Sequence, residues 1–127
     1  MAVKREACDI WFSKAIRLRD KRCLHCGKED RLENCHVVGR RNKRLRWSAD
    51  NCIAMCHGCH RYMTEQPLEF YAFLRELLGE AHVDNLRLVS NEIYKTNRQL
   101  RAEIAKHYRR EVEAMEADET HELRSWN

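Results

Sequence analysis

Residues 52–60 read CIAMCHGCH. A short apolar run enters a C-x-x-C turn and meets a histidine at once, the pattern of a buried strand that ends on two thiols and passes into a helix. The same thiol spacing stands upstream in CLHC, residues 23–26. Each pair lets two thiolates reach one ion from a tight turn, and two pairs supply the four soft ligands of a closed tetrahedral zinc site. Cys23, Cys26, Cys56 and Cys59 are therefore the expected ligands of a structural zinc ion. A redox C-x-x-C needs no twin, so the duplication favours metal.

Between Cys26 and Cys56 lie 29 residues, more than a plain zinc ribbon requires. The clasp therefore carries an insert, ENCHVVGRRNKRLRWSADN at residues 33–51. Its ends read as short strands, RLENCHVV and NCIAM, and its middle, GRRNKRLRWSAD, as a polar loop. For a small core such a metal cross-link contributes a large share of folding stability.

Outside the clasp the pattern is helical. CDIWFSKAIRLRDKR places Trp11, Ala15 and Leu18 at helical spacing, with Phe12 and Ile16 beside them, and predicts an N-terminal helix over 6–20 with Asp9 as its N-cap. Pro67 opens a second helix with Leu68, Tyr71, Leu74 and Leu78 on one face, and Gly79 ends it. Residues 81–95 are ambiguous between helix and extended chain. Thr96 with Gln99 has the form of a capping box, ahead of a helix from Asn97 to Ala117 striped by Leu100, Ile104, Tyr108, Val112 and Met115. The tail, 118–127, has weak periodicity and is expected to fray.

The expected class is thus α+β and mostly helical. A single domain over 1–127 divides into the N-terminal helix, a zinc-stapled core at 23–64 and a helical extension at 67–117. Its 127 residues suffice for one modest core, and 43% hydrophobic and 35% charged residues with four Gly and one Pro suit a helix-rich protein. Seven cysteines, an odd number behind an N-terminus too charged for a signal peptide, point to thiolate chemistry and a cytoplasmic protein. The net charge is only +4, yet Arg40, Arg41, Lys43, Arg44 and Arg46 crowd one loop.

Three polar residues stand out within the frame: His36 in CHVVGRR, Asn51 in DNCIAMC and His60 in CHGCH. A histidine, then an asparagine, then a histidine directly after the second C-x-x-C, resembles the HNH endonuclease family, whose site is a β-hairpin followed by a helix, the ββα-metal fold. The resemblance makes His36 the general base, Asn51 the residue that orients it, and His60 a ligand of a catalytic divalent metal, Mg²⁺ or Mn²⁺ or else Zn²⁺. Imidazole suits water activation near neutral pH, and a metal supplies positive charge beside a scissile phosphate. Many family members carry an aspartate just before the base as a further metal ligand. Here that position is Cys35, which leaves three readings: Cys35 binds a softer metal, Asp50 or Glu33 substitutes for the acid, or the site has lost activity.

The five loop cations would neutralise backbone phosphates without reading sequence, and Trp47 could stack on a base or belong to the core. Over a wider span the order of elements looks like the Rap/NinG recombination endonucleases of lambdoid phages. That resemblance implies cleavage of branched DNA, a Holliday junction or flap, leaving 5′-phosphate ends, in the cytoplasm of a bacterial host. It also implies a homodimer, for which the apolar stripe of the last helix is a candidate surface, unless that stripe packs on the helix from Pro67 to Leu78 within one chain. The alternative is a catalytically inactive, zinc-stabilised DNA-binding protein.

Overall fold

Helix α1 occupies Ala7–Asp20 and begins with a capping box. The Glu6 backbone N–H donates to Asp9 Oδ2 at 2.8 Å, while the Glu6 side chain accepts from the Asp9 N–H. Asp9 is therefore the third helical residue and Glu6 the N-cap, one turn from the expected assignment. These positions come from a computed structural model, which describes residues 3–127.

Strands β1 (Leu32–His36) and β2 (Cys52–Cys56) pair antiparallel, with Leu32 opposite Cys56 and His36 opposite Cys52. The first strand is shorter than RLENCHVV. Val37 N–H still donates to Asn51 O at 2.8 Å, but the Val38 backbone is captured by the Asn51 side chain and leaves the ladder. All five residues of β2 are buried, because α1 covers one face and the helices after the sheet cover the other. Four helices follow: α2 (His57–Glu65), α3 (Pro67–Leu78), α4 (Glu80–Val89) and α5 (Arg98–Ala117). The described residues thus form a mostly helical α+β fold with five helices and a two-stranded sheet. None of these helices is long and apolar enough to cross a membrane.

The core has two halves. In one, Phe12, Ala15 and Ile16 of α1 meet Ile104, Tyr108 and Val112 of α5 around Trp47. In the other, Cys35, Ile53 and Met55 of the sheet meet Met63, Leu74 and Val83 of α2, α3 and α4. The stripe of α5 that offered a dimer surface is spent on α1 within the same chain. On α3 the inward face is Phe70, Phe73, Leu74 and Leu78, whereas Leu68 is 87% exposed and Tyr71 also faces out. The ambiguous stretch is mostly the helix α4. Asn97, not Thr96, caps α5 by accepting the Leu100 N–H at 2.7 Å, and Thr96 Oγ1 instead accepts from Arg101.

The tail does not fray. Trp126 N–H donates to the Tyr108 hydroxyl at 2.9 Å, Ser125 Oγ accepts the Ala49 N–H at 2.9 Å, and Glu111 takes both His121 and the Arg124 N–H. Leu123 and Trp126 pack on the α1–α5 cluster. Periodicity misses this segment because it is held by isolated contacts rather than by a repeating face.

Asp9 joins the start of α1 to the basic loop. Its carboxylate accepts from Arg46 Nε at 2.9 Å, Arg46 Nη2 at 2.6 Å and Trp47 Nε1 at 3.0 Å, and the pair with Arg46 is buried. Removing one partner of a buried ion pair leaves an uncompensated charge and typically costs about 3–5 kcal/mol. Asp9→Ala should lower the urea unfolding free energy by that amount, with part of the loss restored by adding Arg46→Met. A loss under about 1 kcal/mol would show that the pair is not structural.

Candidate functional site

The four expected zinc ligands come together. The sulfurs of Cys23, Cys26, Cys56 and Cys59 all lie within 4.8 Å of one another, and Cys26 and Cys56 are 3.7 Å apart. A tetrahedral ion with Zn–S of about 2.3 Å needs S···S near 3.8 Å, so the cluster fits a structural zinc site. Local backbone builds each half. The Cys23 turn closes through Gly27, at φ 83°, whose N–H donates to Cys23 O at 2.9 Å, and Leu24 N–H donates to Ala54 O at 3.0 Å, tying the turn to β2. Cys56 is the last residue of β2 and the N-cap of α2, accepting the Cys59 N–H at 3.5 Å. Burial pushes the Cys23 thiol up, but N–H groups of Cys26, Cys56 and His25 outweigh it and hold the pKa at about 6, which favours the thiolate a metal needs. His25, exposed at the turn, places Nδ1 3.2 Å from Cys59 Sγ and sets its ring edge-on to Phe73.

On the other side of the sheet a cleft of about 650 Å³ opens between α1, β1 and the loop after it. His36 and His60 both line it, and so does Glu33. The ring of His36 is held by Nε2, 2.9 Å from the Arg46 carbonyl oxygen. A carbonyl only accepts, so Nε2 carries the hydrogen and Nδ1 keeps the lone pair. Burial pushes the His36 pKa down to about 4, so the ring is neutral at pH 7.

Asn51 does not touch His36 by any hydrogen bond described here; its amide clamps the loop instead. Oδ1 accepts the Val38 N–H at 2.8 Å, and Nδ2 donates to Val38 O at 2.9 Å and Leu45 O at 3.1 Å. Its side chain is wholly buried. Asn51 thus holds the loop backbone, whose Arg46 carbonyl in turn orients His36, a step removed from the direct contact expected.

Glu33 links the strand to the helix. The register sets it opposite Met55, two residues before α2 starts. Its carboxylate meets His60 Nδ1 at 2.8 Å and His57 Nδ1 at 2.9 Å. Burial pushes the Glu33 carboxyl up, but hydrogen bonds from His57 and His60 hold it below the usual carboxylate range. With Nδ1–H given to a carboxylate, His60 Nε2 is the nitrogen left to bind a metal, the arrangement in which an outer carboxylate orients a histidine ligand.

Cys35 is not at this cleft. It is 2% exposed, packs in the half of the core beside Cys23 and Ile53, and burial with the nearby Glu33 and Cys23 charges pushes its thiol up to about 12. Cys35 does not line the cleft, and its burial among Cys23, Ile53 and Met55 keeps its sulfur from an ion shared with His60. Asp50 is also elsewhere, with its carbonyl accepting from His82 at 2.7 Å on the α4 side. Of the two acids Asp50 and Glu33, only Glu33 reaches the cleft. The other compact ligand group among the described residues, Glu6, Cys8 and Asp9, is accounted for by the capping box and Arg46.

The five loop cations separate. Arg46 is buried against Asp9 and Trp47, and Trp47 is a core residue. Arg44 pairs with Glu92 at 3.0 Å. Arg41 and Lys43 stand on the exposed side of the loop, and Arg40 turns into the cleft. Asn42 pins the loop by donating to Ser90 O at 2.8 Å. Alternation of buried and exposed positions within a turn-rich loop has no fixed period, which is why composition alone could not sort these side chains.

Comparison with family models, with curated proteins and with solved structures found no match, and the chemistry of the residues alone carries the functional reading.

Zinc-loaded protein should contain one equivalent of zinc per chain by elemental analysis. Cys56→Ser or a strong chelator should lower Tm by roughly 10 °C or more, as expected for losing a few kcal/mol from a domain of this size. Full stability without bound metal would refute a structural zinc. The depressed His36 pKa has a signed consequence. The unfolded chain takes up a proton near pH 6.5, the folded ring only near 4, so the neutral ring contributes about 3 kcal/mol above pH 6.5, lost as pH falls toward 4. Ring ¹⁵N signals of His36 should show the Nε2–H tautomer and stay neutral at pH 5.5; protonation near 6.5 would contradict the burial.

Proposed function

We propose that the protein is a metal-dependent DNA endonuclease of the HNH class, with β1, the basic loop, β2 and α2 as its ββα-metal core. The observation that carries this reading is His36. It is a neutral imidazole anchored through Nε2–H to the Arg46 carbonyl, in the cleft that also holds His60 and Glu33.

In this reading Nδ1 of His36 accepts a proton from water as its oxygen attacks phosphorus. The bond from phosphorus to the 3′-oxygen breaks, leaving a 5′-phosphate and a 3′-oxyanion that takes its proton from a solvent water to become the 3′-hydroxyl. The Arg46 carbonyl stabilises the imidazolium that forms, and Asn51 keeps that carbonyl in place. His60 Nε2, with Glu33 as orienting carboxylate or additional ligand, would hold a hard divalent ion such as Mg²⁺ or Mn²⁺, which would supply positive charge beside the phosphate. Arg40, Arg41 and Lys43 hold the DNA backbone, which favours branched substrates only through shape and not through base sequence.

A second reading has its own observation. Cys35 is a buried thiol where the family usually has an acid, so the protein could bind DNA on a zinc-stapled scaffold without cutting it. Linear, flap and four-way-junction DNA incubated with Mg²⁺, Mn²⁺ or Zn²⁺ separates the two. Wild type should cut, and His36→Ala should lose at least about 100-fold in rate with zinc content and folding unchanged. Undiminished cleavage by His36→Ala overturns the assignment of the base. DNA binding without cleavage in every metal selects the second reading.

A further inference from the structure

The cleft is charged by an element outside the basic loop. Arg17 of α1 and Arg5 just before that helix line it together with Arg40. The carboxylates on the same walls are already committed. Asp9 is taken by Arg46, Trp47 and the Glu6 N–H, and Glu33 by His57 and His60. Among the described residues none of Arg5, Arg17 and Arg40 has a carboxylate partner within ion-pair distance; Arg40 makes a single long contact to Val3 O at 3.5 Å.

Arg17 is the most informative of the three. Only Nε is engaged, 3.3 Å from both Ser13 O and Ser13 Oγ. That anchor leaves the two terminal nitrogens as a fork, the geometry that matches paired phosphate oxygens. The side chain is half-buried. Burial and the neighbouring Arg5 charge both lower the Arg17 pKa, so cations are held close together in a partly dehydrated cleft whose two carboxylates, Asp9 and Glu33, are bonded to other groups. Such an arrangement is unfavourable until an anion arrives.

We infer that Arg17 of α1, Arg5 just before it and Arg40 of the loop form a cradle for consecutive phosphates of a nucleic-acid strand, placed so that the strand runs through the cleft past His36. The inference deepens the nuclease reading and rests on it for the position of the cut, but the cradle itself is a binding site. Arg41 and Lys43 then contact the strand only as it leaves, and Arg44 and Arg46 play no part.

The test uses His36→Ala protein, loaded with zinc, and a fluorescently labelled four-way junction and duplex, with anisotropy read across a KCl series. Arg17→Gln should weaken binding about five- to tenfold and flatten the plot of log Kd against log salt by about one phosphate's worth. Arg5→Gln should act in the same direction, Arg17→Lys should recover part of the affinity, and Arg109→Gln, on the outer face of α5, should change nothing. Circular dichroism and zinc content guard against misfolding, and Arg5→Gln, on an exposed side chain before the helix, keeps the test open if Arg17→Gln unfolds. Wild-type affinity and salt slope in the folded Arg17→Gln and Arg5→Gln variants, or no DNA binding by the parent, overturns the cradle. If the arginine dependence holds while protein with His36 intact cuts nothing, the cradle stands and the nuclease reading falls. If cutting depends on His36 but binding ignores these arginines, the nuclease stands and the cradle falls.

Discussion

Asn51 lies at the foot of the loop that joins the two strands, its side chain fully removed from solvent, and all three of its amide hydrogen bonds go to loop backbone. A buried amide of this kind has few alternatives, because each unmade bond would cost on the order of 1–3 kcal/mol. The loop cannot open at one end without stranding donor or acceptor at the other. Arg46 is locked in consequence, its carbonyl toward His36 and its guanidinium toward Asp9. One side chain therefore couples the orientation of the cleft histidine to the start of α1, even though it reaches neither.

That coupling explains why the fold joins two cores through so small a sheet. Two five-residue strands would be marginal alone. Here they are gripped on one face by α1, which Asp9 fastens to the loop, and on the other by the cysteine cluster and α2 to α4. The cleft lies where these two grips meet, so its walls come from segments far apart in the chain. Rigid walls of different origin would suit the proposed reading, in which a strand and a reacting water are held in fixed relation.

What could be read in the sequence was what has a short-range signature. Paired C-x-x-C turns announced the cysteine cluster, three- and four-residue spacing announced α1, α3 and α5, and the order of histidine, asparagine and histidine marked three residues of which two line one cleft. Longer-range facts escaped. Arg46 and Arg41 are the same residue type in one polar run, yet one is buried, because only tertiary contact sets Asp9 beside the first. Arg17 carried no mark at all, since its placement depends on α1 lying along β1. On α5 the stripe was plain but its partner was not: a periodic apolar face says that something covers it, never what. Cys35 was the reverse case. It sits beside His36 in the sequence yet packs into the half of the core around Cys23 and Ile53, while Glu33, of the same strand parity, reaches the cleft.

Cys56 does two jobs with one sulfur, as a corner of the thiol cluster and as the cap that starts α2. Alkylation or oxidation there would strike both together, withdrawing the cap from a helix only nine residues long. Its first turn carries His57 and His60, so the same sulfur also fixes where those two histidines stand against Glu33. Loss of that one sulfur would therefore disturb the start of α2 and the stability of the cluster in the same event.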